Sequence, residues 1–222
     1  MLVLGMDTST RLLSLALVRD GEPLAVVDEV TENNQSEILM SRIEAMMGKC
    51  GLVPGDLDLI GVALGPGSYT GVRVGVAVAK SLGYVLDVPV VGVSSLEVMA
   101  VASGCDGVVV PMMDARRGTV FASVVGPGRE VLVPEGHGEL EDVLARLPEG
   151  EAIWFVGDGA AAHRDRLLDT SRQVRVVEEA DLERGKAEVV AELARVGSPI
   201  RNIHELTPNY LRKTEAEMNV GV

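Results

Sequence analysis

The chain has 222 residues, 47% of them hydrophobic and 24% charged, with 20 Lys+Arg against 33 Asp+Glu for a formal net charge of −13. That length and apolar share suit one large domain or two small ones with buried cores, and they argue against a disordered or low-complexity chain. Lys80, Asp87 and Asp106 cut the longest apolar stretches short of the roughly 18 residues a membrane helix needs, and no basic, cleavable leader opens the sequence, so a cytoplasmic protein without membrane contact is expected.

In chain order, the sequence is apolar through Met6, turns at DTST (Asp7–Thr10), and is apolar again through LLSLALV to Asp20-Gly21. This predicts two antiparallel strands, with a third over Leu24–Val30. Asn34 followed by Glu37 predicts a helix start, and Ile38, Leu39, Ile43, Met46 and Met47 recur at helical spacing, so a first helix spans about Asn34 to Cys50. Leu59–Leu64 reads as a strand that ends in the loop GPGSYTG, and Thr70–Leu86 as a helix. Pro89–Val93 is another strand, and Ser94 with Glu97 caps a helix to about Ala102.

The second half repeats this order. Sliding the sequence by 107 residues sets Val110, Met113, Asp114, Val125, Gly128 and Val133 on Val3, Met6, Asp7, Val18, Gly21 and Val26, without gaps. Then come a helix near Gly138–Leu147, a strand Ala152–Val156 ending in GDGA, a helix near Ala161–Asp169, a strand Gln173–Val177 and a helix Lys186–Val196. Gly157 takes the slot of Gly65. Two βββαβαβα halves make an α/β, duplicated actin-like, Hsp70-like and sugar-kinase (ASKHA) fold, in which two domains face each other over a cleft. The boundaries fall at residues 1–104 and 105–222, with a tail from Glu215 to Val222.

Cys50 and Cys105 lie far apart with no metal-ligand spacing and read as buried thiols, and His137, His163 and His204 are scattered, so no metal site is expected. The acidic balance and 3% aromatics give neither a basic patch nor stacking platforms for nucleic acid. Asp7 and Asp114 each fall where the first strand of a half ends. In a duplicated ATPase fold such carboxylates hold hydrated Mg²⁺ and orient a nucleophilic water, and Asp7, Thr8, Ser9, Thr10 and Asp114 form a candidate phosphate-loop remnant. The alternative is that both aspartates cap their own turns. The second loop, DARRG, departs from the first in placing Arg116 and Arg117 where a ligand would enter.

GPGSYTG fits neither the P-loop nor the dinucleotide fingerprint, and Ser68 or Thr70 supplies an N-cap there. In the helix that follows, Gly71, Gly75, Ala79 and Gly83 recur every four residues, while Val72, Val74, Val76, Val78, Leu82 and Val85 fill the other faces. A helix apolar all round must be covered all round. Two arrangements satisfy it: glycines easing contact to the parent sheet, or a face left for another subunit, with Met40, Met46 and Met47 of the first helix adding an adaptable surface.

LGMDTST, NNQSEILM, ALGPGSYTGVRVGVAVAKSLGYVLDVPVVGVSSLEVMA, MDARRGTVFAS, GDGA and PNYLRKTEAE together resemble the ordered signature blocks of the TsaB (YeaZ) family over nearly the whole chain. Tyr69 and Val72 stand where Phe and Leu are commoner in that family, and Gln35 where many members have His. The resemblance implies a non-catalytic partner of TsaD in forming N6-threonylcarbamoyladenosine in tRNA, with TsaE joining as an ATPase, tRNA bound only through the complex, and no cofactor. It implies docking on TsaD through the first two helices of each protein, here carried by Ile38, Met40, Ile43, Met46, Met47, Gly71, Val72, Gly75, Val76, Ala79, Leu82 and Gly83, with a homodimer through the same helices when the partner is absent. The competing expectation is a small-molecule kinase or ATPase of the same fold using Asp7 and Asp114. A peptidase would need a nucleophile and base, and Ser68 has no assignable histidine.

Overall fold

Alternation along the first strand decides the layering of the N-terminal unit. In strand β1 (Leu2–Asp7), Leu2, Leu4 and Met6 point to one face and Val3 and Gly5 to the other, and all six residues of the strand are buried. The computed structural model describes residues 1–31, 34–170 and 173–211. β1 pairs antiparallel with β2 (Leu12–Arg19), which pairs with β3 (Glu22–Val30); on its other side it runs parallel to β4 (Leu59–Ala63) and then β5 (Val90–Val93). The sheet order is β3-β2-β1-β4-β5.

Helices α1 (Gln35–Lys49) and α2 (Tyr69–Leu86) lie on the Leu4/Met6 face, where Leu39, Ile43, Met46, Val72, Val76 and Ala79 join its core. Arg42 of α1 also makes a two-pronged bond to Glu29 of β3 at 2.6 and 2.9 Å. Two N-caps follow the serines: Ser68 Oγ accepts from Gly71 N–H, and Ser94 Oγ accepts from Leu96 and Glu97 N–H to open α3 (Ser95–Ala102). Asn34 precedes α1, but its side chain makes no cap bond; its carbonyl accepts from Glu37 and Ile38 N–H.

The second sheet has the same pattern: β6 (Val108–Asp114), β7 (Thr119–Val125), β8 (Val131–Glu139), β9 (Ile153–Val156) and β10 (Val174–Val177), in the order β10-β9-β6-β7-β8. Val110, Met112 and Phe155 pack with Leu140 of α4 (Leu140–Leu144), Ala160 of α5 (Asp158–Ala162) and Leu167 of α6 (Arg164–Leu168). The single helix expected near Ala161–Asp169 is two short ones, because His163 leaves helical geometry at φ −111°, ψ 17°. Gly65 and Gly157 both turn the chain from strand to helix at positive φ, 92° and 108°, as the repeat predicts.

The domain division needs correction. The first compact unit comprises residues 1–104 together with 182–208, and the second 105–181 with 209 onward. The helix expected to close the second half, α7 (Lys186–Val196), instead covers the Val3/Gly5 face of the first sheet beside α3. Its seat explains why: a Cβ on Gly5 would collide with the carbonyl of Ala187, and one on Gly61 would lie 2.9 Å from the Ala194 methyl. Ala187 N–H donates to the buried Ser14 Oγ at 3.0 Å. Of the PNYLRKTEAE block, residues 212 onward lie outside the described residues, as does the tail from Glu215. Cys50 and Cys105, expected to be buried, are half-buried.

Candidate functional site

Asp7 and Asp114 each end the first strand of their unit and each builds the same turn. Asp7 Oδ1 accepts from Ser9 N–H at 2.7 Å, and Asp114 Oδ1 from Arg116 N–H at 2.8 Å. Both are Asx turns, the aspartate bonding its own backbone two residues on. The second oxygens also match. Asp7 Oδ2 lies 3.6 Å from the Lys186 ammonium and Asp114 Oδ2 lies 3.2 Å from Arg116 Nη1.

The DTST loop is closed by its own unit. Asp7, Thr8 and Ser9 are buried and Thr10 is half-buried. Thr8 Oγ1 donates to the Gly71 carbonyl at 2.7 Å, the Ser9 carbonyl accepts from Ser68 N–H at 2.6 Å, and the Thr10 carbonyl accepts from Gln35 Nε2 at 2.8 Å. GPGSYTG therefore lies directly on DTST, so close that a Cβ on Gly67 would collide with the Ser9 carbonyl. Asp7 Oδ2 and Ser9 Oγ are buried without a hydrogen bond. Lys186 escapes sequence reasoning because a lysine beside an amphipathic helix reads as solvated. The signal was there, since a cation in a first helical turn opposes the macrodipole.

In the second unit, DARRG is a hairpin turn: Thr119 N–H donates to the Arg116 carbonyl at 3.0 Å, with Arg117 and Gly118 at φ 54° and 79°. Arg116 is itself left-handed at φ 70°, and both arginines are exposed. Asp158, opening α5, accepts from Asp114 N–H at 3.1 Å. Although the residue as a whole is exposed, desolvation of its carboxyl pushes the pKa above the usual aspartate value; the bond from Asp114 opposes this and the charge of Glu179 adds to it. Among the described residues no three His, Cys, Asp or Glu side chains are grouped to hold a metal, and no helix is long and apolar enough to cross a membrane.

The helix-pair residues divide by face, and the expected docking set needs correction. Ile43, Met46, Met47, Gly71, Val72, Gly75, Val76, Ala79 and Gly83 are buried within the first unit, Ile38 and Leu82 are half-buried, and Met40 is exposed. The glycine stripe faces inward: a Cβ on Gly71 would strike the Thr8 carbonyl, on Gly75 the Thr8 hydroxyl, and on Gly83 the Val90 side chain. What the pair turns outward is a set that shares only Met40 with the expected one. On α1 it is Met40, Ser41, Glu44, Ala45 and Gly48; on α2 it is Thr70, Arg73, Ala77, Ser81 and Val85, flanked by half-buried Val74 and Val78. Met40 is 48% and Val85 77% exposed, and a Cβ on Gly48 would meet nothing.

Two sheets of one strand order, each with an aspartate closing its first strand, define a protein of the duplicated actin-like, sugar-kinase (ASKHA) class. The activator of 2-hydroxyisocaproyl-CoA dehydratase from Clostridium difficile, solved with ADPNP, shares the fold at a TM-score of 0.53 and 11% identity, over 87% of this chain and 94% of that one. The model of the family described as TsaD, tRNA N6-adenosine threonylcarbamoyltransferase, matches residues 23–220. Bacillus subtilis TsaB, named as a tRNA threonylcarbamoyladenosine biosynthesis protein, is 36% identical over 98% of this chain and 96% of its own length. A Pseudomonas aeruginosa protein described as similar to peptidase YEAZ superposes at a TM-score of 0.81 with 25% identity, over 95% of this chain and 99% of that one. Within the TsaD-type family, the chain belongs to the TsaB (YeaZ) family.

Proposed function

We propose that the protein is a non-catalytic cytoplasmic subunit that activates a TsaD-type partner in forming N6-threonylcarbamoyladenosine in tRNA, with a TsaE-type ATPase completing the assembly. The observation that carries this reading is the outward face of the helix pair. On α1 and α2, Ser41, Ala45, Gly48, Ala77 and Ser81 are small and exposed, and Met40, Val74, Val78 and Val85 border them. Small residues let a second pair of helices approach closely, and two helices of 15 and 18 residues can supply the ~800 Å² per partner of a standard interface. The same face serves a homodimer when the partner is missing.

The kinase or ATPase reading has less support. Asp7 is 0% exposed, whereas a hydrated Mg²⁺ needs a carboxylate that water and phosphate can reach.

The test is reconstitution. The chain is mixed with TsaD-type and TsaE-type subunits, complex formation is followed by size-exclusion chromatography with light scattering, and the modified nucleoside is measured in tRNA digests. A complex that restores the nucleoside, and whose formation is lost in Ala77→Arg, is expected. A complex indifferent to Ala77→Arg, or no gain of the nucleoside, overturns the reading.

A further inference from the structure

We propose that Lys186 is a built-in cation for Asp7: its ammonium takes the place that a divalent metal would occupy beside that carboxylate, leaving the strand-end aspartate neutralised by the chain itself. Both groups are sealed from solvent, Asp7 at 0% and Lys186 at 1% exposure. A carboxylate so placed needs a positive partner, and the described cation nearest its free oxygen is the Lys186 ammonium, at 3.6 Å. The same ammonium donates to Thr10 Oγ1 at 2.9 Å, so it is held by two residues of the DTST loop.

Its position in the chain argues that it serves the loop and not its own helix. Lys186 is the first residue of α7, where the helix dipole disfavours positive charge. The repeat supplies an independent second instance. Asp114, 107 residues after Asp7, faces Arg116 Nη1 at 3.2 Å through the corresponding oxygen, the other oxygen being used in the same Asx turn. One cation comes from a distant helix and the other from within the turn, yet each aspartate is matched. The exposed pair adds little energy, whereas removing one partner of the buried pair leaves an uncompensated charge sealed from water.

The test uses the full chain with Asp7→Asn, Lys186→Met and the double variant. If the two groups form one unit, each single variant lowers the urea unfolding midpoint, and the double recovers at least about tenfold in the unfolding constant over the sum of the two. Should Lys186→Met fail to fold, a soluble, folded double variant supports the pair equally, and an insoluble double variant overturns it. Strict additivity overturns it as well, leaving Lys186 a packing residue only. In parallel, Mn²⁺ binding is titrated by electron paramagnetic resonance with the metal alone. Wild type and Asp7→Asn are expected to bind equally; loss of a bound Mn²⁺ in Asp7→Asn shows a metal at the carboxylate and overturns the proposal.

Discussion

Gly75 is seated against Thr8. A Cβ on Gly75 would collide with Thr8 Oγ1, and that hydroxyl cannot turn away freely, since it donates to the Gly71 carbonyl at 2.7 Å. Gly75→Ala gains about 1 kcal/mol of helix propensity but forces α2 off the loop at an overpacking cost of roughly 1–3 kcal/mol. A net loss of stability is expected, read as a lower urea midpoint, and Gly75→Leu should unfold the unit. Neither is a selective probe of partner docking.

The selective probes are on the other side of the helix. Ala77 is exposed, so Ala77→Arg should change stability by no more than about 0.5 kcal/mol while abolishing association measured by calorimetry. Met46, 2% exposed in the core beneath α1, should behave oppositely: Met46→Ala costs about 2–5 kcal/mol, and whatever fraction stays folded should bind normally.

Gly5→Ala should be the most damaging of the small substitutions. The added methyl would meet a backbone carbonyl, that of Ala187, which has no rotamer by which to yield. A loss of roughly 3 kcal/mol, the upper end of the overpacking range, is expected in urea unfolding.

The Asp158 carboxyl has a raised pKa, caused first by desolvation, so its ionised form is the one the fold disfavours. The penalty is full above the folded pKa and is relieved as pH falls through that value toward the ordinary aspartate value. Asp158→Asn should therefore raise the urea midpoint at pH 7 and leave it unchanged at a pH below the aspartate range. The opposite pattern, a midpoint lowered at neutral pH, would show that the charge itself is needed at the start of α5.

Arg117 holds φ 54° directly before Gly118 at φ 79°, the geometry that an Asn-Gly pair adopts with least strain. Arg117→Asn should stabilise the chain by several tenths to about 1 kcal/mol, seen as a raised melting temperature. No change would mean that a contact of the arginine side chain offsets the backbone strain.

Much of this architecture could be read from residue order. The helix start at Lys186, the Ser68 and Ser94 caps, and the two strand-end aspartates follow from patterns within a few residues of each other. What could not be read is facing. In α2 nearly every position is apolar or small, so no contrast marked which side meets the sheet, and the glycines that suggested an outer seam are the inner one. Pattern alone also gave α7 to the sheet nearest in sequence. The features that direct it elsewhere, Gly5, Ser14 and Gly61, lie more than 120 residues earlier. Gln35 departs from the family pattern in replacing a histidine, while its contact with the Thr10 carbonyl depends on tertiary structure.

The return of α7 to the first sheet sets a schedule for biogenesis. While the ribosome is still making the middle of the polypeptide, Val3, Ala16, Val18 and Val91 have a finished strand pattern and only α3 to cover them. Vectorial synthesis cannot complete the earliest-made half until α7 has emerged, so that half waits with this face only partly covered until residues 186–196 are made.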